Sequence, residues 1–170
     1  YQVETNLKCK YNVYNYLTAL GIINTLGINI PDILKITKDV YAPRGRCEQI
    51  KIGGGFAVID YAHTPDAVEK IITSFLENKK GHIYTIIGCG GDRDPLKRPI
   101  MGHIATELSD YVIFTSDNPR TEDPQKILDD IIKGVTKDNY TIEIDRQQAI
   151  KKGLDLIKDN DVLLILGKGH

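Results

Sequence analysis

The sequence predicts an α/β fold: a doubly wound, mostly parallel six-stranded Rossmann-like sheet with an N-terminal hairpin, preceded by a helical segment from a neighbouring domain. Three observations predict it. First, short apolar runs alternate with longer amphipathic stretches from about residue 56 onward, as parallel strands do when crossover helices join them. Second, Thr64-Pro65, Asp94-Pro95 and Asp123-Pro124 each place an oxygen-bearing cap before a proline, whose missing N–H costs nothing in a first helical turn. Third, polar motifs follow the strands directly, at Asp60–His63, Gly88–Asp94, Asp117–Arg120 and Gly167–His170. That is the edge where open α/β sheets bind ligands.

In chain order, Val13, Tyr16, Leu17, Leu20, Ile23 and Leu26 form a broad helical stripe that Gly27 is suited to end. Pro31-Asp32 opens a second short helix through Ile33, Leu34 and Ile36. Tyr41-Ala42-Pro43-Arg44-Gly45-Arg46 carries neither period and reads as a linker, so the domain boundary is placed between residues 1–42 and 43–170. Gln49 to Ile52 and Phe56 to Asp60, around Gly53-Gly54-Gly55, read as a hairpin. Val68, Ile71, Ile72, Phe75 and Leu76 mark the next helix, and Ile83 to Ile87 a strand. A helix carrying Ile104 and Leu108 leads to the strand Tyr111 to Thr115. Ile127, Leu128, Ile131, Ile132 and Val135 mark a helix before the strand Thr141 to Ile144. Ala149, Ile150, Leu154 and Ile157 mark the last helix before the final strand, Val162 to Leu166.

Composition narrows the function classes. A chain of 170 residues has room for one domain with a core and part of a neighbour. A net charge of −1 with scattered charges argues against a general nucleic-acid or acidic-membrane surface and leaves room for a local basic pocket. Cys9, Cys47 and Cys89 are odd in number and widely spaced, which reads as reduced thiols in a cytosolic protein rather than a disulfide frame or zinc site. No signal peptide or transmembrane run is visible, and a chain that starts without Met and stops just after an apolar strand reads as a fragment.

The strand-end motifs carry the candidate chemistry. Gly88-Cys89-Gly90-Gly91-Asp92-Arg93-Asp94-Pro95 lets backbone N–H groups approach an anion, with Arg93, Lys97 and Arg98 supplying charge beside it. Asp60 can accept from ribose hydroxyls and His63 can reach a phosphate; equally, Asp60 can satisfy loop N–H groups with His63 at the surface. In Asp117-Asn118-Pro119-Arg120, either a plain turn or an amino-acid site, Asn118 offers a donor and an acceptor and Arg120 a planar fork for a carboxylate. Gly167-Lys168-Gly169-His170 lacks the spacing and the Ser/Thr of a Walker A loop, and no Gly-x-Gly-x-x-Gly follows the first strand, which disfavours a dehydrogenase. His82 and His103 read as surface residues.

Taken together, Tyr11-Asn12-Val13-Tyr14-Asn15, Gly45-Arg46-Cys47-Glu48, Asp60 to Pro65, Gly88 to Asp94 with Lys97-Arg98-Pro99, Asp117 to Arg120 and Gly167 to His170 resemble the Mur ligase family in order and spacing. The resemblance is to its C-terminal part, in the branch that extends UDP-MurNAc-L-Ala-D-Glu. It implies that residues 1–42 are the tail of a central ATPase domain, and that residues 43–170 are an amino-acid-binding domain cut short at its C-terminus. It also implies ATP contacts through Asn12, Asn15, Arg46, Asp60 and His63, and contacts to the added amino acid through Arg93, Asp117, Asn118, Pro119, Arg120 and Gly167. The phosphate loop, the Mg2+ ligands and a carbamylated lysine are expected upstream and a substrate-binding Glu downstream, so no catalytic residue or metal ligand is expected here and the piece alone is expected to be inactive. The implied reaction is ATP-dependent amide formation by way of an acyl phosphate, in a cytoplasmic monomer that acts on small molecules and neither binds nucleic acid nor inserts into membranes. Asp-Asn-Pro-Arg goes with meso-diaminopimelate in this family. Arg120 would pair with its far carboxylate, whereas L-lysine would leave that cation unpaired; meso-lanthionine would make the same contacts. Cyanophycin-synthetase-like and folylpolyglutamate-type ligases are the rival enzymes, and a non-catalytic nucleotide- or amino-acid-binding module is the rival of another class.

Overall fold

The structure is a computed structural model that describes residues 2–167; Lys168, Gly169 and His170 of the last motif lie outside the described residues. Helix α1 (Lys10–Thr25) is followed by Gly27, whose φ of +87° suits a residue without a side chain, and by the short helix α2 (Ile30–Leu34). Of the expected apolar stripe on α1, Leu20 is buried while Val13, Leu17 and Leu26 stay exposed. A 3-10 turn at Thr37–Asp39 leads into the loop before the sheet.

The hairpin pairs β1 (Glu48–Ile52) with β2 (Gly55–Asp60) antiparallel, closing at Ile52 opposite Gly55. Thereafter α3 (Pro65–Leu76), β3 (Ile83–Ile87), α4 (Lys97–Leu108), β4 (Tyr111–Phe114), α5 (Pro124–Ile132), β5 (Tyr140–Ile142), α6 (Arg146–Leu156) and β6 (Val162–Leu166) alternate as expected. The sheet order is β1-β2-β6-β3-β4-β5, with every pair parallel except the hairpin. Winding runs outward from β3 to β5 and then returns to insert β6 between β2 and β3. The crevice at that reversal opens at the carboxyl ends of the strands.

The period-2 geometry of strands divides the core. Ile83, Ile87, Val112, Phe114, Leu164 and Leu166 face the layer of α3, α4 and α5, which bring Val68, Ile71, Ile72, Met101, Ala105, Leu128 and Ile131. Ile86, Ile113, Leu163 and Ile165 face α6 through Ala149. Because the central strands are buried on both sides, they read as unbroken apolar runs rather than alternating ones. No helix among the described residues is long and apolar enough to cross a membrane.

Two expectations are corrected. Thr64 and Asp123 do cap α3 and α5, accepting from Ala67 N and Gln125 N, but Asp94-Pro95 does not open α4. Asp94 Oδ1 accepts from Leu96 N, Pro95 O accepts from Arg98 N, and the helix begins after this extra turn, at Lys97. The cysteines are not all reduced: Cys9 and Cys47 form a disulfide, with a Cα–Cα distance of 6.4 Å. Their separation of 38 residues hides the proximity, since one precedes α1, the other precedes β1, and both reach the carboxyl end of β2. Cys89 keeps a free, buried thiol.

Candidate functional site

At the end of β2, Asp60 gathers the chain around itself. Its Oδ2 accepts from Cys47 N at 2.7 Å and from the Tyr11 hydroxyl, and its Oδ1 accepts from Ala62 N at 2.9 Å. The structural role left open for Asp60 is therefore present, and only Oδ1 keeps clear capacity for a further donor. Burial, and then the bond to Asp60, push the Tyr11 phenol well above its ordinary range, so it stays a donor. Asn12 is buried, and its amide donates to Lys8 O at 2.9 Å and Arg46 O at 3.3 Å. It braces the loop that carries Arg46. The Arg46 guanidinium lies 4.6 Å from the centre of the Tyr61 ring, and Tyr61 packs edge-on against His63 at 4.8 Å. Asn15, Arg46, Asp60 and His63 line one cavity of about 320 Å³; Asn12 lies outside it.

A second cavity, of about 340 Å³, opens at the ends of β3, β4 and β6. Tyr61 and His63 line both cavities, so the two share a wall. Arg93, Asp117, Asn118, Arg120 and Gly167 line the second one, and Pro119 lies in the turn behind them. The turn after β4 and the glycine turn after β3 are locked together. Gly91 N donates to Asn118 O at 2.9 Å, and Arg120 Nη1 donates to Gly91 O at 2.7 Å. A Cβ on Gly91 would sit 1.9 Å from Pro119 O, so only glycine permits this approach. Asp92 and Arg120 both take left-handed backbone, with φ of +51° and +52°. Asp92 is held by the Thr121 hydroxyl and amide, which keep its carboxyl below the usual range. A cavity of about 390 Å³ near Lys8, Lys80 and His82 lies at the start of β3 and touches none of these motifs.

Charge in the second cavity differs from the expectation in one respect. Arg98 is not a free cation: it is 3% exposed and paired with Glu122 at 2.8 Å and Asp130 at 3.0 Å. Those carboxylates raise the Arg98 pKa, and Glu122 also accepts from Asp92 N, so Arg98 fastens α4 and α5 beneath the glycine turn. Arg93 and Arg120 stay exposed at the cavity, and the Asp117 carboxylate accepts no hydrogen bond from a described residue. The cavity is therefore amphoteric. Burial pushes the Cys89 thiol up to about 12, which keeps it protonated and unsuited to nucleophilic attack. Among the described residues no three His, Cys, Asp or Glu side chains cluster closely enough to hold a metal ion together.

Sequence reasoning missed three contributors. Tyr11 was part of a motif but had no role; Glu122 couples the glycine turn to Arg98; Arg146, at the start of α6, donates to Leu166 O at 2.8 Å behind the cavity. A tyrosine within the same motif as Asn12 was the one usable signal.

The doubly wound sheet and paired strand-end cavities define a class of ligand-binding α/β domain, and comparison with known proteins specifies it. Residues 45–169 match the family model of the Mur ligase, glutamate ligase domain. The chain belongs to that family. It is 49% identical over 172 residues to the UDP-N-acetylmuramoyl-L-alanyl-D-glutamate–2,6-diaminopimelate ligase of Fusobacterium nucleatum, covering 99% of this chain and 36% of the relative. The protein of the same name from Clostridium botulinum is 43% identical over 171 residues, covering 99% and 35%. The chain thus spans about a third of the length of the curated relatives it matches. A solved structure of a ligase of that name superposes with a TM-score of 0.74 at 34% identity, over 100% of this chain and 35% of the other. Folylpolyglutamate synthase of Mycobacterium tuberculosis, complexed with ADP, superposes with a TM-score of 0.79 at 17% identity, over 98% and 39%. That likeness shows the shared fold.

Proposed function

We propose that this chain is the amino-acid-binding part of an ATP-dependent ligase that joins meso-diaminopimelate to UDP-MurNAc-L-Ala-D-Glu in peptidoglycan precursor synthesis. The observation that carries the reading is the amphoteric second cavity. Asp117 and Asn118 suit an ammonium-bearing centre, while Arg120, with one Nη committed to Gly91 O, keeps N–H groups for a carboxylate. A diamino diacid has both groups at its far end. L-Lysine has only the ammonium there and would leave Arg120 facing a like charge.

On this reading residues 1–42 are the end of the preceding ATPase domain and residues 43–170 the ligase domain. Asn15, Arg46, Asp60 and His63 line the nucleotide side, with Asn12 setting the position of Arg46. Asp60 Oδ1 is suited to a ribose hydroxyl. The shared wall of Tyr61 and His63 suits a reaction whose activated carboxylate lies between nucleotide and incoming amine. These residues contribute binding and orientation, bringing the amine to the acyl carbon and excluding water. The protein works on small molecules in the cytoplasm, as a monomer.

The test is phosphate release by the full-length protein with ATP and UDP-MurNAc-L-Ala-D-Glu, comparing meso-diaminopimelate with L-lysine. Release with diaminopimelate alone is expected. Release with lysine alone would overturn the substrate, and release with neither would overturn the ligase.

A further inference from the structure

Arg146 occupies a position that neither stability nor the family motifs explain. It is the first residue of α6, directly after the cap Asp145, where a cation opposes the helix dipole. Its Nη2 donates to Leu166 O, the last carbonyl of β6, but Nε and Nη1 are buried without a hydrogen-bond partner among the described residues. A guanidinium left so incompletely paired costs stability, and an apolar side chain of similar length would serve packing better. The helix is nonetheless held where this side chain reaches the end of β6. At Gly153 a Cβ would lie 2.8 Å from Ile86 Cδ1 and 2.9 Å from Leu163 Cδ1, so α6 sits closer to the sheet than a larger residue would allow.

Arg146 does not itself line the cavity, but the carbonyl it holds precedes Gly167, which does. Gly167, with φ of +81°, follows the carbonyl that Arg146 holds, and a Cβ there would lie 3.7 Å from Asp117 Oδ2. Asp117 is also the one group whose charge counters the effect of burial on Arg146. The same carboxylate accepts no hydrogen bond from a described residue, and among the described residues it forms no ion pair with Arg146, so any influence of Arg146 on it runs through the end of β6 and Gly167.

We propose that Arg146 is a positioning residue for the amino-acid site: by its hydrogen bond to the end of β6 it fixes Gly167 beside Asp117, and so sets the spacing of the turns after β4 and β6. That the ligand is a diamino acid rests on the function proposed above; the coupling of the two turns does not.

The experiment uses Arg146→Met and Arg146→Lys in the full-length protein. Met removes the charge and the donor at nearly constant length, and Lys restores a charge and one donor. The expected result for Arg146→Met is a KM for diaminopimelate raised tenfold or more, a KM for ATP within twofold, and a Tm no lower than that of the parent. Arg146→Lys should recover part of the KM. An unchanged KM for diaminopimelate, parallel rises for both substrates, or loss of folding in Arg146→Met would overturn the proposal in favour of a structural role or none. Amide hydrogen exchange supplies a readout independent of substrate identity. Exchange at Gly167 and in residues 116–120 should quicken together by tenfold or more in Arg146→Met, with α3 unchanged. If the parent protein does not turn over diaminopimelate, the functional reading fails, and the exchange comparison alone upholds or overturns the role of Arg146.

Discussion

The two edges of the sheet use the same polar residues in opposite ways. At the amino ends of the strands, Asp161 is 2% exposed and accepts from His82 N at 2.7 Å and Lys158 N at 2.9 Å. Asp110 accepts from Ile83 N and Lys79 Nζ, both at 2.7 Å. Asn139 donates to Thr106 O and Ser109 O, both at 3.0 Å. The two carboxylates and the Asn139 amide nitrogen are used up in joining strand starts to the loops before them, while Asn139 Oδ1 is buried without a partner among the described residues. At the carboxyl ends, Asp117 accepts no hydrogen bond from a described residue, and Arg120 spends one nitrogen and keeps the rest of its fork. A filled carboxylate holds a fold, whereas an open one beside a cavity can bind. Asp60 stands between the two cases, with Oδ2 filled and Oδ1 in part.

The largest effect that could break this comparison is Arg120→Ala at the open edge. Loss of a carboxylate's paired cation costs about 3–5 kcal/mol, so the KM for diaminopimelate should rise by about two to three and a half orders of magnitude in steady-state assays. The KM for ATP should stay within about twofold, because Arg120 does not line the cavity proposed for the nucleotide. Next is Asp161→Asn at the filled edge, where one backbone donor loses its acceptor. A cost of about 2 kcal/mol should lower the Tm by roughly 4–8 °C in a thermal melt.

Asp161 also carries a pH signature. Burial would raise its pKa, but the N–H groups of His82 and Lys158 outweigh it and leave the folded value depressed. Its contribution is thus present above the unfolded value of about 3.9 and is lost as pH falls through the lower folded value. Melts between neutral pH and about pH 3 should show a shallower acid loss in Asp161→Asn than in the parent.

Asp117→Asn sharpens the contrast. The same chemical change at the open edge should leave the Tm within about 1 °C, since no hydrogen bond is broken, yet raise the KM for diaminopimelate about tenfold. A melting loss as large as that of Asp161→Asn would erase the distinction between the edges. The smallest effect is a count: unfolding without reductant should expose one reactive thiol, Cys89, and three after reduction.

Much of the fold was legible because local physics fixes it. Doubly buried strands are apolar throughout, and Thr64 and Asp123 announce their helices by cap chemistry. Asp94 failed as a cap because its carboxylate closed a turn two residues earlier, which the same dipeptide also permits. The site was legible as strand-end motifs but not as partnerships. Arg98 reads as a phosphate-facing charge until Glu122 and Asp130, 24 and 32 residues further on, are seen to neutralise it. The Cys9–Cys47 pair and the reach of Arg146 to Leu166 depend on where helices land in space, which periodicity does not encode.

The contact between Gly91 and Pro119 bears on how this binding site can be re-engineered or diversify. Because one turn has no room for a side chain unless the other withdraws, the two are coupled sterically. Replacing residues 117–120 alone would therefore alter only half of the determinant. A working exchange of substrate preference should require the glycine turn of residues 88–94 to travel with it, and single-site libraries at either turn should return few functional variants.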